Sequence, residues 1–330
     1  MYFAHKIRNG FYSRIAVVSV IIAVPLLILT MLSGETTNGA VRWMNIPVLN
    51  LSFQTSDFAK IALILYVARM LSLRQNEIKD FRRGFLPIIV PVVIICLLII
   101  RGNFSTSAML FVTCLVLMFI GRASLKHIGI TIGFAIGFAG LLILLIMYKP
   151  EWVPRGETWK ARIENFTDGK SEVNYQVEQA KIAIATGGMF GKGPGKSTQR
   201  NFLPQAYSDF IYAIIIEEYG IGIGVIVLML YLILLYRAIR IATKSQKIFS
   251  NLLAIGCAFS LVFQALINMA VAVNLVPVTG QPLPLVSMGG TSIWFTSIAI
   301  GMILSASREL EKEKVVKPKQ DEEDIAVATA

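Results

Sequence analysis

The sequence is poor in charged residues, histidine and cysteine. Only 15% of its 330 residues are charged and 55% are hydrophobic, which excludes an ordinary water-soluble domain. The two histidines and three cysteines lack the spacing of a metal site, and an odd number of cysteines inside apolar runs argues against disulfides. The net charge of +11 would suit nucleic acid, but the cations lie between apolar runs, so we expect no nucleic-acid partner.

The sequence contains several long hydrophobic runs. A helix needs about 20 mainly apolar residues to cross a bilayer, and Gly, Pro and charged residues separate several runs of that kind. We predict an all-α polytopic membrane protein with about eight transmembrane helices in one domain over 1–308, and a charged, disordered tail over 309–330. The predicted spans are 15–33, 57–73, 85–100, 105–121, 126–148, 209–236, 250–274 and 289–307.

Lys and Arg are concentrated in alternate gaps between these spans. Basic loops stay in the cytoplasm, so both termini are predicted to be cytoplasmic. The gaps 34–56, 149–208 and 275–288 are then extracytoplasmic, and 149–208 is the largest. Pro and Gly interrupt the 275–288 gap, a pattern tolerated at membrane depth only where the backbone is buried in protein or lines a wet cavity.

Acidic residues beside the 149–208 loop are candidates for chemistry. Asp209 lies where the loop ends and a helix begins. On physical grounds it is equally a helix N-terminal acid that complements the dipole and an active-site group. Glu217 and Glu218 lie two turns deeper, where we expect structural intramembrane acids bonded to neighbouring helices.

A second set of candidates surrounds the 34–56 gap. Asp57 and Lys60 are three residues apart and share one helix face. They are either a dipole-stabilising acid and a snorkelling lysine, or a charge pair that would receive an anionic headgroup. Arg42, beside Trp43, is either an interfacial anchor or a phosphate ligand.

Two glycine-rich segments complete the set. The segment 187–196 contains Lys192 and Lys196 but lacks Walker spacing, so we interpret it as an adaptable loop with two surface cations. The segment 282–292 is either a turn before a helix, capped by Ser287 or Thr291, or the re-entrant wall of a lipid cavity.

Four segments in combination resemble the SEDS family (shape, elongation, division, sporulation) of polytopic glycan polymerases. The third of them is closer to the division branch, typified by FtsW, than to the elongation branch, typified by RodA. Family members usually have ten spans and the resemblance begins at about the third, so the first span and most of the second are expected to be missing from this sequence. The segments are NGAVRW (38–43), QTSDFAK (54–60), GKGPGKSTQRNFLPQAYSDFIYAIIIEEYG (191–220) and LVPVTGQPLPLVSMGGTS (275–292).

The resemblance implies a glycosyltransferase that polymerises lipid II into β-1,4 glycan strands during septal cell-wall synthesis. It implies a bacterial inner membrane, an outward-facing active site, and a class B penicillin-binding transpeptidase and other divisome membrane proteins as partners, besides lipid II and the nascent glycan. Asp209 would be the general base and Lys60 would pair with the pyrophosphate. Asp57 would hold Lys60 or a divalent cation. Arg42 and Lys196 would be further substrate ligands.

Two departures from the family pattern bear on this expectation. Gln-Thr-Ser-Asp at 54–57 replaces the common Gln-Pro-Ser-Glu and keeps the charge, whereas Arg-Gly-Asn at 101–103 replaces Gln-Pro-Asp and loses an acid. A lipid II flippase, a RodA-like elongation polymerase and a non-catalytic scaffold for a transpeptidase are rival interpretations. The polar candidates cluster on one side of the membrane, which favours an enzyme over a transporter with a site near the midplane.

Overall fold

The structure is a computed structural model that describes the whole chain except residues 34, 38–39, 47–50, 154, 169–171, 205 and 329–330. It describes the backbone but not the side chains of 33, 35–37, 40–42, 45–46, 51–52, 165–168, 172–174 and 313–328. The α-helices are α1 Tyr2–Lys6, α2 Asn9–Ser33, α3 Thr55–Leu73, α4 Leu86–Gly102, α5 Phe104–Ile120, α6 Leu125–Tyr148, α7 Gly156–Asp168, α8 Glu172–Gly187, α9 Ile211–Lys244, α10 Ile248–Ala272 and α11 Ser292–Ala328. The strands are β1 Glu35–Thr37, β2 Ala40–Ile46 and β3 Leu51–Gln54.

Each of the eight predicted spans coincides with one of the long helices, namely α2 to α6 and α9 to α11. Among the described residues, five of these helices are long and apolar enough to cross a membrane: α2, α4, α6, α9 and α10. Helix α5 is apolar but shorter. The predicted all-α polytopic membrane fold is therefore confirmed, and the crossing of all eight helices stays a prediction.

The gaps that are predicted to be extracytoplasmic contain helices and strands that the sequence did not predict. The first holds a small antiparallel sheet in the order β1-β2-β3, with Trp43 opposite Gln54. The 149–208 loop contains α7 and α8. Strands this short carry little periodic signal, even though the paired strands are consecutive in the sequence. Helix α11 runs through Ala328, past the start of the predicted tail, and the division into a domain and a tail stays a prediction.

Helix α10 lies at the centre of the bundle, against α3, α5, α9 and α11. Small buried residues line its contact with α3 and α5: Ala59, Ala62 and Ala258 are fully buried, and a Cβ on Gly256 would lie 2.8 Å from Leu117 and 2.9 Å from Ile64. Small side chains allow membrane helices to approach closely. Lys60 near the N-terminus of α3 and Gln264 in the C-terminal half of α10 consequently lie side by side. The three cysteines are buried and free, as predicted.

Helix α6 lies at the edge of the bundle. Very little of its surface is buried, and Phe134, Ile136 and Leu141 are exposed. Between α4, α5 and α6 lies a cavity of about 390 Å³ with an almost entirely apolar lining that includes Phe104 and Phe138. An exposed apolar helix beside an apolar cavity is suited to lipid contact.

Candidate active site

One polar cavity of about 410 Å³ brings together residues that are far apart in the sequence. Its wall includes the N-terminal part of α3, the N-cap of α5, the C-terminal half of α10, the first half of α7, the residues before α9, and parts of the segment 280–292. The predicted site residues Asp57, Lys60 and Asp209 all line it. Its other polar or charged side chains include Asn103, Arg155, Arg162, Gln264 and Gln281.

Asp57 and Lys60 form an ion pair on the first turn of α3. Their Oδ1 and Nζ atoms are 2.8 Å apart, as the shared helix face predicts. Lys60 Nζ also donates to Gln264 Oε1 at 3.2 Å. Asp57 is buried, and its Oδ2 atom has no hydrogen-bond partner among the described residues. A buried carboxylate that keeps an acceptor free is able to receive a ligand donor or to hold the lysine in place.

Asp209 lies in the turn before α9, half-buried at the cavity wall. Ser208 Oγ donates to Asp209 Oδ1 at 3.0 Å. The N-cap of α9 is Phe210, so Asp209 lies outside the capping position that one interpretation of the sequence favoured. Its carboxylate therefore borders the cavity while its neighbour Phe210 is buried in the core.

Backbone contacts hold this turn against the segment 280–292. Ser287 Oγ donates to Ser208 O at 2.5 Å, and Met288 N donates to Tyr207 O at 2.9 Å. Ser287 Oγ also accepts from Leu283 N, so its contacts hold the wall of the polar cavity, and the re-entrant wall of a lipid cavity stays a prediction. Gly280 has φ 63°, and a Cβ there would lie 3.5 Å from Asp209 Oδ2. Glycine keeps this face of the carboxylate open.

Arg155 and Arg162 also line the cavity, and the sequence analysis missed both. Arg155 Nη1 donates to Gly102 O at 2.9 Å, and Arg162 Nη1 donates to Val278 O at 3.2 Å. Burial lowers the pKa of the Arg155 guanidinium, and the charge of Arg162 lowers it further. Burial also lowers the pKa of Arg162, while the charge of Asp209 raises it. Arg155 precedes α7 and has φ 65°, whereas Arg162 lies within α7, so no regular spacing in the sequence marked the two arginines as a pair.

The glycine-rich segment 187–196 covers a break in α9. Gly220, with φ 85° and ψ 168°, interrupts the helix. Two loop N–H groups donate to the carbonyls of Glu217 and Glu218, and Ile221 N donates to a loop carbonyl, each at 2.9 Å. The loop thus satisfies backbone groups that a continuous helix would pair internally.

The side chain of Glu217 binds the same loop. Glu217 is fully buried and accepts from Lys192 Nζ at 2.5 Å and from the hydroxyls of Ser197 and Thr198. The sequence predicted that Glu217 would bind neighbouring helices, but its partners lie in the loop and directly after it. The prediction that Lys192 is a surface cation is also wrong, because Lys192 forms an ion pair with Glu217. Lys196 is exposed, as expected of a surface cation.

The other two predicted ligands are Lys196 and Arg42. Lys196 is not among the described residues that line the polar cavity. Arg42 lies on β2, and its side chain is outside the described residues. Its neighbour Trp43 does line the cavity.

A family profile described as "Cell cycle protein", which covers FtsW, RodA and SpoVE, matches residues 1–312. The chain belongs to this family.

Family members of several bacteria are similar along most of their length. Stage V sporulation protein E of Bacillus subtilis (strain 168) is 34% identical over 83% of this chain and 73% of its own. The probable peptidoglycan glycosyltransferase FtsW of Escherichia coli O6:H1 is 33% identical over 94% of this chain and 74% of its own. The corresponding FtsW of Coxiella burnetii (strain RSA 493 / Nine Mile phase I) is 35% identical over 87% and 76%.

Solved structures have the same fold. The structure described as "Structural coordination of polymerization and crosslinking by a peptidoglycan synthase complex" aligns with a TM-score of 0.73 and 22% identity, over 94% of this chain and 85% of the other. The rod shape determining protein RodA of Thermus thermophilus aligns with a TM-score of 0.64 and 23% identity, over 93% and 82%. The predicted membership of the FtsW/RodA group is confirmed.

The sequence analysis left two alternatives for Asp57, which would hold either Lys60 or a divalent cation. Within the described part of the chain, no group of three or more His, Cys, Asp or Glu side chains lies close enough to hold a metal ion. Asp57 Oδ1 is paired with Lys60, and its Oδ2 atom has no hydrogen-bond partner among the described residues.

Proposed function

We propose that this chain is a peptidoglycan glycosyltransferase that polymerises lipid II into β-1,4 glycan strands during septal cell-wall synthesis. The observation that carries the proposal is the single cavity that Asp209 shares with Lys60, Arg155 and Arg162. A carboxylate and several cations in one cavity suit a reaction in which a hydroxyl loses a proton and a pyrophosphate departs. The names of the FtsW relatives, probable peptidoglycan glycosyltransferases, support the same reaction class.

Asp209 acts as the general base. The 4-hydroxyl of the acceptor sugar attacks the anomeric carbon of the donor, and Asp209 takes the hydroxyl proton as the new C–O bond forms. The bond from the anomeric carbon to undecaprenyl pyrophosphate breaks on the opposite face, which inverts the configuration. General-base catalysis contributes typically about 10²–10⁴-fold, so orientation and charge stabilisation supply the rest.

Lys60, Arg155 and Arg162 stabilise the departing pyrophosphate. Guanidinium groups bind phosphate oxygens in a bidentate manner, and burial strengthens that interaction. Pyrophosphate leaves without protonation by a second carboxylic acid, unlike a glycosidic oxygen. Asp57 holds the Lys60 ammonium in place through their 2.8 Å ion pair.

The apolar cavity between α4, α5 and α6 receives the isoprenoid chain. Phe104 lines this cavity, and the preceding residue, Asn103, lines the polar one. A headgroup in the polar cavity therefore has an apolar region beside it for its lipid. The exposed face of α6 allows lateral entry from the bilayer.

The active site faces the periplasm or exterior, with both termini in the cytoplasm. The basic gaps between the helices support this orientation. A class B penicillin-binding transpeptidase and other divisome membrane proteins are the partners, and the fold that the chain shares with a peptidoglycan synthase complex supports the first of these.

The test is polymerisation of labelled lipid II by the purified chain with its transpeptidase partner. We expect Asp209→Asn to abolish polymer while expression and membrane insertion stay normal. Asp80→Asn is the matched control, since Asp80 is an exposed carboxylate on the turn between α3 and α4. Full activity of Asp209→Asn would contradict the role of Asp209 as the general base. If the unsubstituted protein transported lipid II but made no polymer, the result would favour a flippase.

A further inference from the structure

We propose that Asn268 and Gln264 of α10 are positioning residues that set the spacing of Asp209 and Lys60. Asn268 binds the backbone of Asp209, Gln264 binds the side chain of Lys60, and each also binds one of two adjacent backbone carbonyls in the cavity wall. The inference rests on the proposed function, because it assigns how the base and the cation are held in register. Neither residue needs to touch the reacting atoms.

Asn268 binds the turn that carries Asp209. It is 1% exposed, and its Nδ2 atom donates to Asp209 O at 2.8 Å and to Gln281 O at 2.7 Å. One amide group thus connects the backbone of the base to the cavity wall. A buried amide with both donors paired has one favourable orientation, so it holds both carbonyls at a defined distance.

Gln264 makes the equivalent connection for the cation. Its Oε1 atom accepts from Lys60 Nζ at 3.2 Å, and its Nε2 atom donates to Pro282 O at 2.8 Å. Gln264 and Asn268 are four residues apart, so they lie one turn apart on the same face of α10. Their wall partners, residues 281 and 282, are consecutive.

The wall itself is tied to a third helix. Gln281 Nε2 donates to Thr106 Oγ1 of α5 at 2.8 Å, and Gln281 is buried. The base Asp209 and the cation Lys60 are therefore both hydrogen-bonded to α10, and α10 is connected through residues 281–282 to α5. Small displacements of a reacting group are costly, since about 1 Å of misplacement can lower a rate about 100-fold.

Asn268→Leu tests the proposal, because leucine has a similar size and lacks the donors. We expect kcat for glycan polymerisation to fall about tenfold or more, with KM for lipid II within about twofold. Asn251→Leu is the matched control. Asn251 is on the same helix and also donates Nδ2 to a backbone carbonyl, Ser245 O, at 2.9 Å, but it lies at the opposite end.

A second measurement does not depend on catalysis. The variant Asp209→Cys is labelled with a charged thiol reagent in the full chain, where the three natural cysteines are buried. We expect the additional substitution Asn268→Leu to change the labelling rate at position 209, and Asn251→Leu to leave it unchanged. An unchanged labelling rate in Asn268→Leu, or a fall in activity through KM alone, would overturn the positioning role.

The two measurements separate this inference from the proposed function. If the unsubstituted protein makes no polymer, the proposed function fails, and the labelling rate still decides whether Asn268 orders the 209 turn. If Asn268→Leu does not accumulate in the membrane, Asn268→Ser retains one donor on a smaller side chain. That variant should show an intermediate labelling rate, and a rate equal to that of the unsubstituted chain would contradict the proposal.

Discussion

At the scale of single residues, the cavity is defined by its charge. Among its described lining residues, Lys60, Arg155 and Arg162 are cations, whereas Asp57 and Asp209 are the carboxylates. Lys60 already neutralises Asp57. Both arginines are half-buried, and burial together with the charge of Arg162 lowers the pKa of Arg155. The pair creates a positive potential that an anionic headgroup would relieve.

Arg162→Gln tests this use of charge. Loss of a charged hydrogen-bond donor costs about 1.5–3 kcal/mol, so kcat/KM for lipid II should fall by at least about tenfold. Lys160→Gln on the same helix α7 is the control, because Lys160 makes only a 3.7 Å ion pair with Glu164 and does not line the cavity. Steady-state polymerisation kinetics make the measurement, and equal kinetics for the two variants would contradict the anion-binding role.

Residue-scale prediction from sequence succeeded where the relation is local. Asp57 and Lys60 are neighbours on one helical turn, and their ion pair followed from the spacing. Arg155 and Arg162 were missed because the 149–208 loop was not expected to fold into helices that bring its cations back over the bundle. Nothing within that loop distinguishes them from other mixed charges.

At the scale of elements, the broken helix α9 depends on close backbone packing. A Cβ on Gly220 would lie 2.2 Å from Met189 O, and a Cβ on Gly191 would lie 2.3 Å from Glu218 O. Only glycine permits this approach at positive φ. The loop therefore holds the C-terminal end of the short helical segment between Phe210 and Gly220. Asp209 lies immediately before the N-terminal end of the same segment.

Gly220→Ala should destabilise the protein by at least about 2 kcal/mol, because alanine at φ 85° is strained and its Cβ meets backbone. Gly222→Ala is a close control, since the nearest atom to its Cβ would be 3.9 Å away. The melting temperatures of Gly220→Ala and Gly222→Ala are compared in detergent. A thiol-reactive fluorophore reports unfolding, because unfolding exposes the buried cysteines. Equal melting temperatures for both variants would show that the loop does not hold the break.

At the scale of the whole molecule, a cluster around Glu309 joins the two ends of the chain. Glu309 accepts from Lys247 at 2.5 Å, from Asn9 at 2.6 Å and from Ser250 at 2.8 Å. Burial would raise the pKa of Glu309, but the hydrogen bonds from Lys247 and Ser250 bring it below the ordinary value. The carboxylate thus fastens α2 and α10 to α11 beyond the predicted span 289–307.

Glu309→Gln should lower the free energy of unfolding by about 2 kcal/mol near neutral pH, because charged hydrogen bonds are lost. A lowered pKa in the folded state contributes stability above the unfolded value of 4.5 and loses it as the pH falls through that range. The difference in melting temperature between the unsubstituted protein and Glu309→Gln should therefore become smaller at acidic pH. Glu311→Gln, at an exposed position, is the control, and a gap that widens with acid would contradict the assignment.

The sequence by itself determined the helices. Long apolar runs cannot expose their backbone to lipid, so all eight predicted spans are helices whose ends lie within a few residues of prediction, apart from the extensions of α2, α9 and α11. It also identified Asp57, Lys60 and Asp209, because charges at helix ends stand out against an apolar background.

Only the tertiary structure decided what these residues form together. Asp57, Arg162, Asp209 and Asn268 are separated by up to about two hundred positions, and no local pattern encodes which helix faces meet. Their meeting depends on small residues that let α10 approach α3 and α5, and on a glycine loop that binds a break in α9. Packing of that kind is settled by the mutual fit of distant side chains and backbone groups, which exists only once the chain has folded.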